Sequence, residues 1–334
     1  MERPASPESD PVALESSDAN PMLKNPEDLK LYGYLVNQPT SVLKRLNALK
    51  RIQLEQLRYE AEFWCAVERI EKEFNEMQAG LREKRRALIE GKYEPTEEEG
   101  TPCDGDFVGA TLDADISRFK QSLCLDEEKA VVGVPNFWLT VLLNCNVTGK
   151  TISKADEHAL ASLVDIRCDY LSEPNGFVLS FYFDSNDYFS NEVLTKEYQL
   201  NCNLNMENPF VYDGPEVISR KGCVIQWKPG KNLTIMVKET TSKASRKPKL
   251  KEVRVSSFFD FFDPCYDVAV GDEIASTVRD YLYEDFNIAL TLRDQVLRRA
   301  VLYFTGEEVN YEDSDASEET NPEMSSDSET SQSE

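Results

Sequence analysis

Histidine is nearly missing from this sequence: among 334 residues there is one, His158. Paired-histidine metal sites are thereby excluded, and a Ser/His or Cys/His nucleophile would depend on that single imidazole. It falls in the polar segment ADEHALASL, where a surface or partly buried position is expected. Cysteine is present but unpatterned. The thiols stand at 65, 103, 124, 145, 168, 202, 223 and 265 with no CxxC among them, which gives neither zinc nor redox spacing. No apolar run of about 18 residues occurs that could cross a membrane. MERPASPESD has no apolar stretch of the signal-peptide kind. The thiols are therefore expected to be reduced, in cytosol or nucleus. The sequons at Asn146 and Asn232 then lack a secretory route. Gly149-Lys150-Thr151 imitates the end of a phosphate-binding loop, but Asn144 stands where that loop needs glycine. No cofactor, metal or catalytic constellation is expected, and the chain reads as a non-enzyme.

Positive charge is the second shortage. Lys and Arg number 37 against 61 Asp and Glu, a net charge of −24. Such a surface repels nucleic-acid phosphates and steers basic partners toward itself. Sequence-specific nucleic-acid binding is not expected; basic proteins are the natural partner class.

Residues 1–39, rich in Pro, Ser, Glu and Asp, read as a disordered acidic segment. From Ser41 to Glu90 the only Gly or Pro is Gly80, and apolar residues recur in steps of three or four. A helix over 40–91 is predicted, roughly 75 Å long at 1.5 Å per residue. Gly91 and Pro95 mark its stop. A rod of that length needs a partner for its apolar stripe, which includes Leu46, Leu49, Leu57, Trp64, Val67, Phe74 and Leu81, so it is read as a dimerisation helix, the alternative being a core helix of one large domain, against which its length argues. Residues 92–130 form an acidic linker and accessory segment. A single domain is expected over 131–306. In it VVGVPNFWLTVLLN (131–144) reads as a short apolar helix, and Ser153–Leu171 as another, capped by Ser153 and bearing Asp156, Glu157, Asp165 and Asp169. Strands are predicted at GFVLSFYF, NEVLTKEYQL, CVIQWK, NLTIMVKET and KEVRVS, and helix again over 272–305. Residues 307–334 hold eleven acids, seven serines and no Lys or Arg, and read as a disordered tail.

Two stretches stand out. SSFFDFFDP (256–264) puts four phenylalanines into five positions, either as a core anchor or as an exposed aromatic platform. TTSKASRKPKLK reads as the tip of a long hairpin near 240–254, where six Lys or Arg oppose only Glu252. Lys243, Arg246, Lys247, Lys249 and Lys251 have the composition of a nuclear localisation signal, of a phosphate contact or of a solvated tip.

Taken together, several motifs resemble the nucleosome assembly protein family of histone chaperones. They are GVPNFWLTVLLN (133–144), FVLSFYFDSNDYFSNEVLTKEY (177–198), GPEVISRKGCVIQWKPGKNLTI (214–235), SSFFDFFDP, RRAVLYFTGE (298–307) and YEPTEEE (93–99). The likeness runs in order over residues 41 to 307. It implies an α+β fold in which a long dimerisation helix precedes an α/β domain. That domain has a four-stranded antiparallel sheet over a helical layer, and the phenylalanines lie mainly in its core. The resemblance also implies a saddle-shaped homodimer whose acidic concave face binds core histones. Carried over position by position, that face would use Asp156, Asp165 and Asp285, with Glu157 and Asp294 beside them. A nuclear import receptor would read the hairpin, and the protein would shuttle between nucleus and cytoplasm. Arg298 stands where the family usually has proline, and the tail is short and Ser-rich. The other reading is a regulatory protein of the same superfamily, acting by phosphatase inhibition or by shuttling cargo.

Overall fold

The computed structural model describes residues 35, 38–101, 131–240, 249–264 and 276–308. The expectations for residues 1–34, most of the acidic linker, Lys243, Arg246 and Lys247 at the hairpin tip, and residues 309–334 lie outside them. The chain divides into two compact units, residues 1–60 with Leu204–Asp213, and residues 61–203 with 214–334. In the first, Leu57 is buried, and a 3-10 turn at Pro209–Val211 carries exposed Phe210 and Val211.

The expected long helix forms in two pieces, α1 (Thr40–Met77) and α2 (Ala79–Ile89). They meet at Gln78, which keeps right-handed helical angles (φ −86°, ψ −1°) at the edge of that region beside Ala79-Gly80. Arg82 bridges the break, donating to the Asn75 backbone oxygen at 2.7 Å and to its Oδ1 at 2.8 Å. The stop at Gly91 is as predicted. Its φ is +68°, a left-handed conformation that glycine adopts without a Cβ penalty. There the chain after the linker returns: Val134 N donates to the Ile89 oxygen at 2.9 Å, and a Cβ on Gly133 would lie 2.1 Å from that oxygen.

Within the second unit the helical rod has two faces. One turns inward: Asn75 Nδ2 donates to the Cys168 oxygen at 3.1 Å, Tyr170 donates to Glu71 at 3.2 Å, and Arg85 donates to the Leu297 oxygen at 2.8 Å. Trp64 is on this face too, against Gly214. The other face leaves Phe63, Ile70, Phe74, Met77 and Leu81 exposed. The single stripe read from the sequence is therefore two interleaved stripes, one inward and one outward.

The sheet is a four-stranded antiparallel meander, β1 (Leu163–Ser172), β2 (Asn175–Phe183), β3 (Val193–Asn201) and β4 (Glu216–Lys221), in that order. Three segments depart from expectation. The helix at Ser153 is only α5 (Lys154–Leu160), after α3 (Phe137–Asn144) and the four-residue turn α4 (Asn146–Gly149). Residues 163–172 join the sheet instead: LVDIRCDYLS is rich in β-branched and aromatic residues, and it pairs in register with β2 from Asp165↔Tyr182 to Ser172↔Asn175. Asp165 and Asp169, four apart as on a helix face, also share a strand face at period two. CVIQWK is not a ladder strand. After Lys221 the backbone turns onto the aromatic segment, with Cys223 N donating to the Phe262 oxygen at 3.0 Å and one isolated bridge, Phe189↔Trp227. A Cβ on Gly222 would lie 2.3 Å from the Phe262 oxygen, so only glycine permits this approach. Finally, the 272–305 region is α6 (Ser276–Thr291), a π turn (Leu292–Val296) and α7 (Ala300–Thr305) rather than one helix. The hairpin forms as predicted from β5 (Ile235–Thr240) and β6 (Lys249–Arg254).

The question posed by SSFFDFFDP is decided by burial. Phe258, Phe259, Phe261 and Phe262 are all buried in a 3-10 turn. Phe181 of β2 meets the Phe262 ring edge-on at 5.0 Å, and Phe189 meets Phe259 at 5.6 Å. Beyond them, Trp138 of α3 donates to the Val164 oxygen at 3.0 Å, and Phe137 stacks on Phe304 of α7 at 5.0 Å. Sheet, aromatic turn and helices share one apolar core.

Candidate functional site

The carboxylates expected on an interaction face separate into two groups. Asp156 is fully buried. It closes a capping box with Ser153, whose backbone N donates to Oδ2 at 2.8 Å. The same carboxylate accepts from Ser257 Oγ at 2.6 Å and from Phe258 N at 3.0 Å. It thus ties the start of α5 to the start of the aromatic turn. Asp285 of α6 is 4% exposed. Lys196 Nζ lies 2.7 Å from Oδ1, Tyr198 donates to Oδ2 at 2.8 Å, and Arg220 Nε stands 3.9 Å away. Burial first, and the Asp285 charge next, push the Tyr198 hydroxyl far above its ordinary pKa, so it remains a donor. Alternation on β3 is the cause: Leu194, Lys196, Tyr198 and Leu200 all point into the core. Lys196 must therefore find its counterion there.

Asp165 is buried as well, with Arg167 Nε at 2.7 Å; Arg167 also reaches Glu83 at 2.8 Å and lies over the Tyr182 ring at 5.0 Å. None of these three acids is a surface carboxylate, contrary to what the resemblance implied for a contact face. Each sits where another strand or turn supplies donors, which spacing alone does not reveal. Glu157 and Asp294 do reach the surface. Glu157 pairs with Lys154 at 2.8 Å, and Asp294 pairs with Arg293 at 2.7 Å, its side chain 38% exposed. Other exposed carboxylates are Glu62, Glu73 and Glu76 on α1, Asp169 on β1 and Asp184 after β2. His158 is exposed, and no group of metal-ligating side chains occurs among the described residues. No disulfide joins the described cysteines; burial pushes Cys168 up to about 12 and Cys202 up to about 11. No described helix is long and apolar enough to cross a membrane.

Burial raises the Asp165 pKa, and the Arg167 hydrogen bond offsets this only in part. A carboxyl raised in the folded state binds protons there more readily than when unfolded, so its contribution to stability falls as pH rises through that window. Asp165→Asn keeps an acceptor for Arg167 without the buried charge. Its unfolding midpoint in urea, relative to the unsubstituted protein, is expected to be more favourable at pH 7 than near pH 4. Equal differences at both pH values would contradict this.

The comparisons agree with the motifs. The family model "Nucleosome assembly protein (NAP)" matches residues 44–307. The chain belongs to the nucleosome assembly protein family. It is similar to Nucleosome assembly protein 1-like 1-A of Xenopus laevis, 35% identical over 85% of this chain and 74% of that protein. It is also similar to Nucleosome assembly protein 1-like 4 of Homo sapiens, 32% identical over 84% of this chain and 77% of that one. Among solved structures, Nucleosome Assembly Protein 1 from Plasmodium knowlesi aligns with 81% of this chain and 99% of its own, at 25% identity and a TM-score of 0.49.

Proposed function

We propose that this family member is a non-enzymatic histone chaperone that binds core histones as a homodimer and promotes nucleosome assembly. The observation that carries the reading is the family match over residues 44–307 in a chain of net charge −24. Histones are basic and attach to DNA by charge, so free histones bind it in wrong arrangements. An acidic chaperone competes for those charges and releases the histone as DNA replaces it. Individual exposed ion pairs are weak, so the contact surface is many carboxylates acting together. Glu157 and Asp294, both half-buried, are the members of the five acids first considered that reach solvent. Asp156, Asp165 and Asp285 act by holding the scaffold.

The outward stripe supports the dimer. Leu49, Ile52, Tyr59, Phe63, Ile70, Phe74, Met77 and Leu81 are exposed on one chain, separated by steps of three, four or seven. That spacing is a coiled-coil seam. Of the positions first assigned to the interface, Leu49, Phe74 and Leu81 belong to this seam, Leu46 and Val67 are half-buried, and Leu57 and Trp64 serve their own chain. Ile70→Lys with Met77→Lys is expected to weaken the dimer at least tenfold in sedimentation equilibrium, since two charges would enter an apolar seam. Hairpin lysines, Lys249 and Lys251 of β6 among them, would be read by an import receptor for shuttling between cytoplasm and nucleus.

Supercoiling of relaxed circular plasmid by core histones near physiological salt tests the function. Supercoils that need this protein support it. If none appear and no histone dimer binds at that salt, the regulatory reading takes its place.

A further inference from the structure

The inward face of the rod carries a thiol. Cys65 stands on α1 ahead of Glu68, Lys72 and Asn75, in the steps of three and four that keep residues on one helix face. Those three side chains bind the body of the second unit. Glu68 lies 3.9 Å from Arg293, Lys72 donates to Ser172 Oγ at the end of β1, and Asn75 donates to the Cys168 oxygen at 3.1 Å. Next to Cys65, the Trp64 ring packs against Gly214.

A second thiol meets it there. Leu194, Lys196, Tyr198 and Leu200 alternate into the core along β3, and Cys202 continues that alternation at 1% exposure. The Cys202 and Cys65 thiols share a hydrogen bond, the Asn175 side chain gives Cys202 a second, and Glu68 lies beside it. Cys65 itself is half-buried and reaches solvent. Cys168 and Cys223 have other neighbours: Arg293 and Asp169 lie by the first, and the second accepts from Thr195 N at 3.2 Å.

We propose that Cys65 and Cys202 are a reversible redox pair, closed by a hydroperoxide into a disulfide within one chain. Burial pushes Cys202 up to about 11 and keeps it protonated, so the solvent-facing Cys65 reacts first. Its thiolate attacks one peroxide oxygen; an S–O bond forms, the O–O bond breaks, and the hydroxide released takes up a proton as water. The Cys202 sulfur then displaces the hydroxyl of this sulfenic acid. The S–S bond forms, the S–O bond breaks, and the Cys202 proton leaves in a second water. Two thiols are oxidised and one peroxide is reduced to two waters. The bond fastens the rod to the end of β3, within a few residues of the sequence positions where the chain passes into the first unit, 60–61 and 203–204. A thiol-rich cytosol or nucleus reopens it, as befits a sensing disulfide. None of this depends on histone binding.

The test treats the full-length protein with hydrogen peroxide, blocks it with N-ethylmaleimide, and digests it with trypsin without reduction for mass spectrometry. The expected product joins peptide 59–69 to peptide 197–220, runs at single-chain mass in a denaturing gel, and is released by dithiothreitol. The urea midpoint of the oxidised protein, at fixed protein concentration, is expected to rise by about 1 M, because the link closes a long loop of the unfolded chain. Cys65→Ser, at a half-buried site, is expected to abolish both the linked peptide and the shift. Cys202→Ala is expected to do the same while leaving Cys65 as a sulfenic acid that dimedone traps. The proposal is overturned if neither thiol reacts, or if Cys65 is oxidised with no linked peptide. It is equally overturned if Cys65 links to its counterpart in a second chain at twice the mass, or if the urea shift survives in Cys65→Ser.

Discussion

Asp285→Ala is expected to lower the unfolding free energy by about 3–5 kcal/mol, read from urea midpoints at fixed protein concentration. Lys196 and Asp285 are each 3% exposed at the side chain and 2.7 Å apart, against a predominantly apolar core. Removing the carboxylate leaves an ammonium with no anion beside it and no water to hydrate it. It also removes the Oδ2 acceptor of the Tyr198 hydroxyl. Removing both charges is a different experiment. Lys196→Met with Asp285→Leu leaves no orphaned ion and is expected to recover most of the loss, because a buried pair often contributes little beyond an apolar replacement. A single variant as stable as the parent would mean that water reaches the site and that Asp285 is open to partners after all.

Asp156→Ala should be the second severe change, on the order of 3 kcal/mol. Among the described residues the side chain has no counterion. It accepts three hydrogen bonds, from Ser153 N, Ser257 Oγ and Phe258 N, and two of these donors belong to a turn about a hundred residues away. Alanine strands all three donors in a site with no exposure. Asp156→Asn keeps two acceptor lone pairs on one oxygen but sets an NH2 against at least one of the donors, so it should fall between parent and alanine. Hydrogen exchange gives the sharper reading: protection of the Phe258–Phe262 amides should fall more than that of β2. If histone affinity dropped while stability and exchange stayed unchanged, Asp156 would be a contact residue rather than a tie.

The contrast between these residues and Glu157 or Asp294 measures how far the sequence could be read. Periodicity found the rod, the α3 helix and the hairpin because each pattern is local. The aromatic turn was legible as an apolar cluster, and the family resemblance placed it in the core. Residues 163–172 misled because Asp165 and Asp169 have a spacing that suits a helix as well as a strand; only pairing with β2 separates the two. CVIQWK has the composition of a strand, but its backbone bonds are split, Cys223 N to the Phe262 oxygen and residues 226–228 to Tyr188 and Ser190, instead of forming a ladder, and the first depends on Gly222 lying against a distant backbone. The acids are the clearest case. A carboxylate on the surface and one beneath it are identical in one dimension, and the donors that distinguish them lie on other elements. Even the rod concealed something, because inward and outward stripes on one helix sum to a single apolar pattern.

The junction where Val134 returns to the Ile89 carbonyl and Gly133 crosses Gly91 carries a further consequence. Residues 91 and 133 are thereby held together, so the two ends of the sequence between them are fixed at one point. Each doubling of such a loop's length adds only about 0.6 kcal/mol of closure entropy. A change in the number of residues between them is therefore expected to alter closure entropy little, provided that the two glycines at the neck are kept.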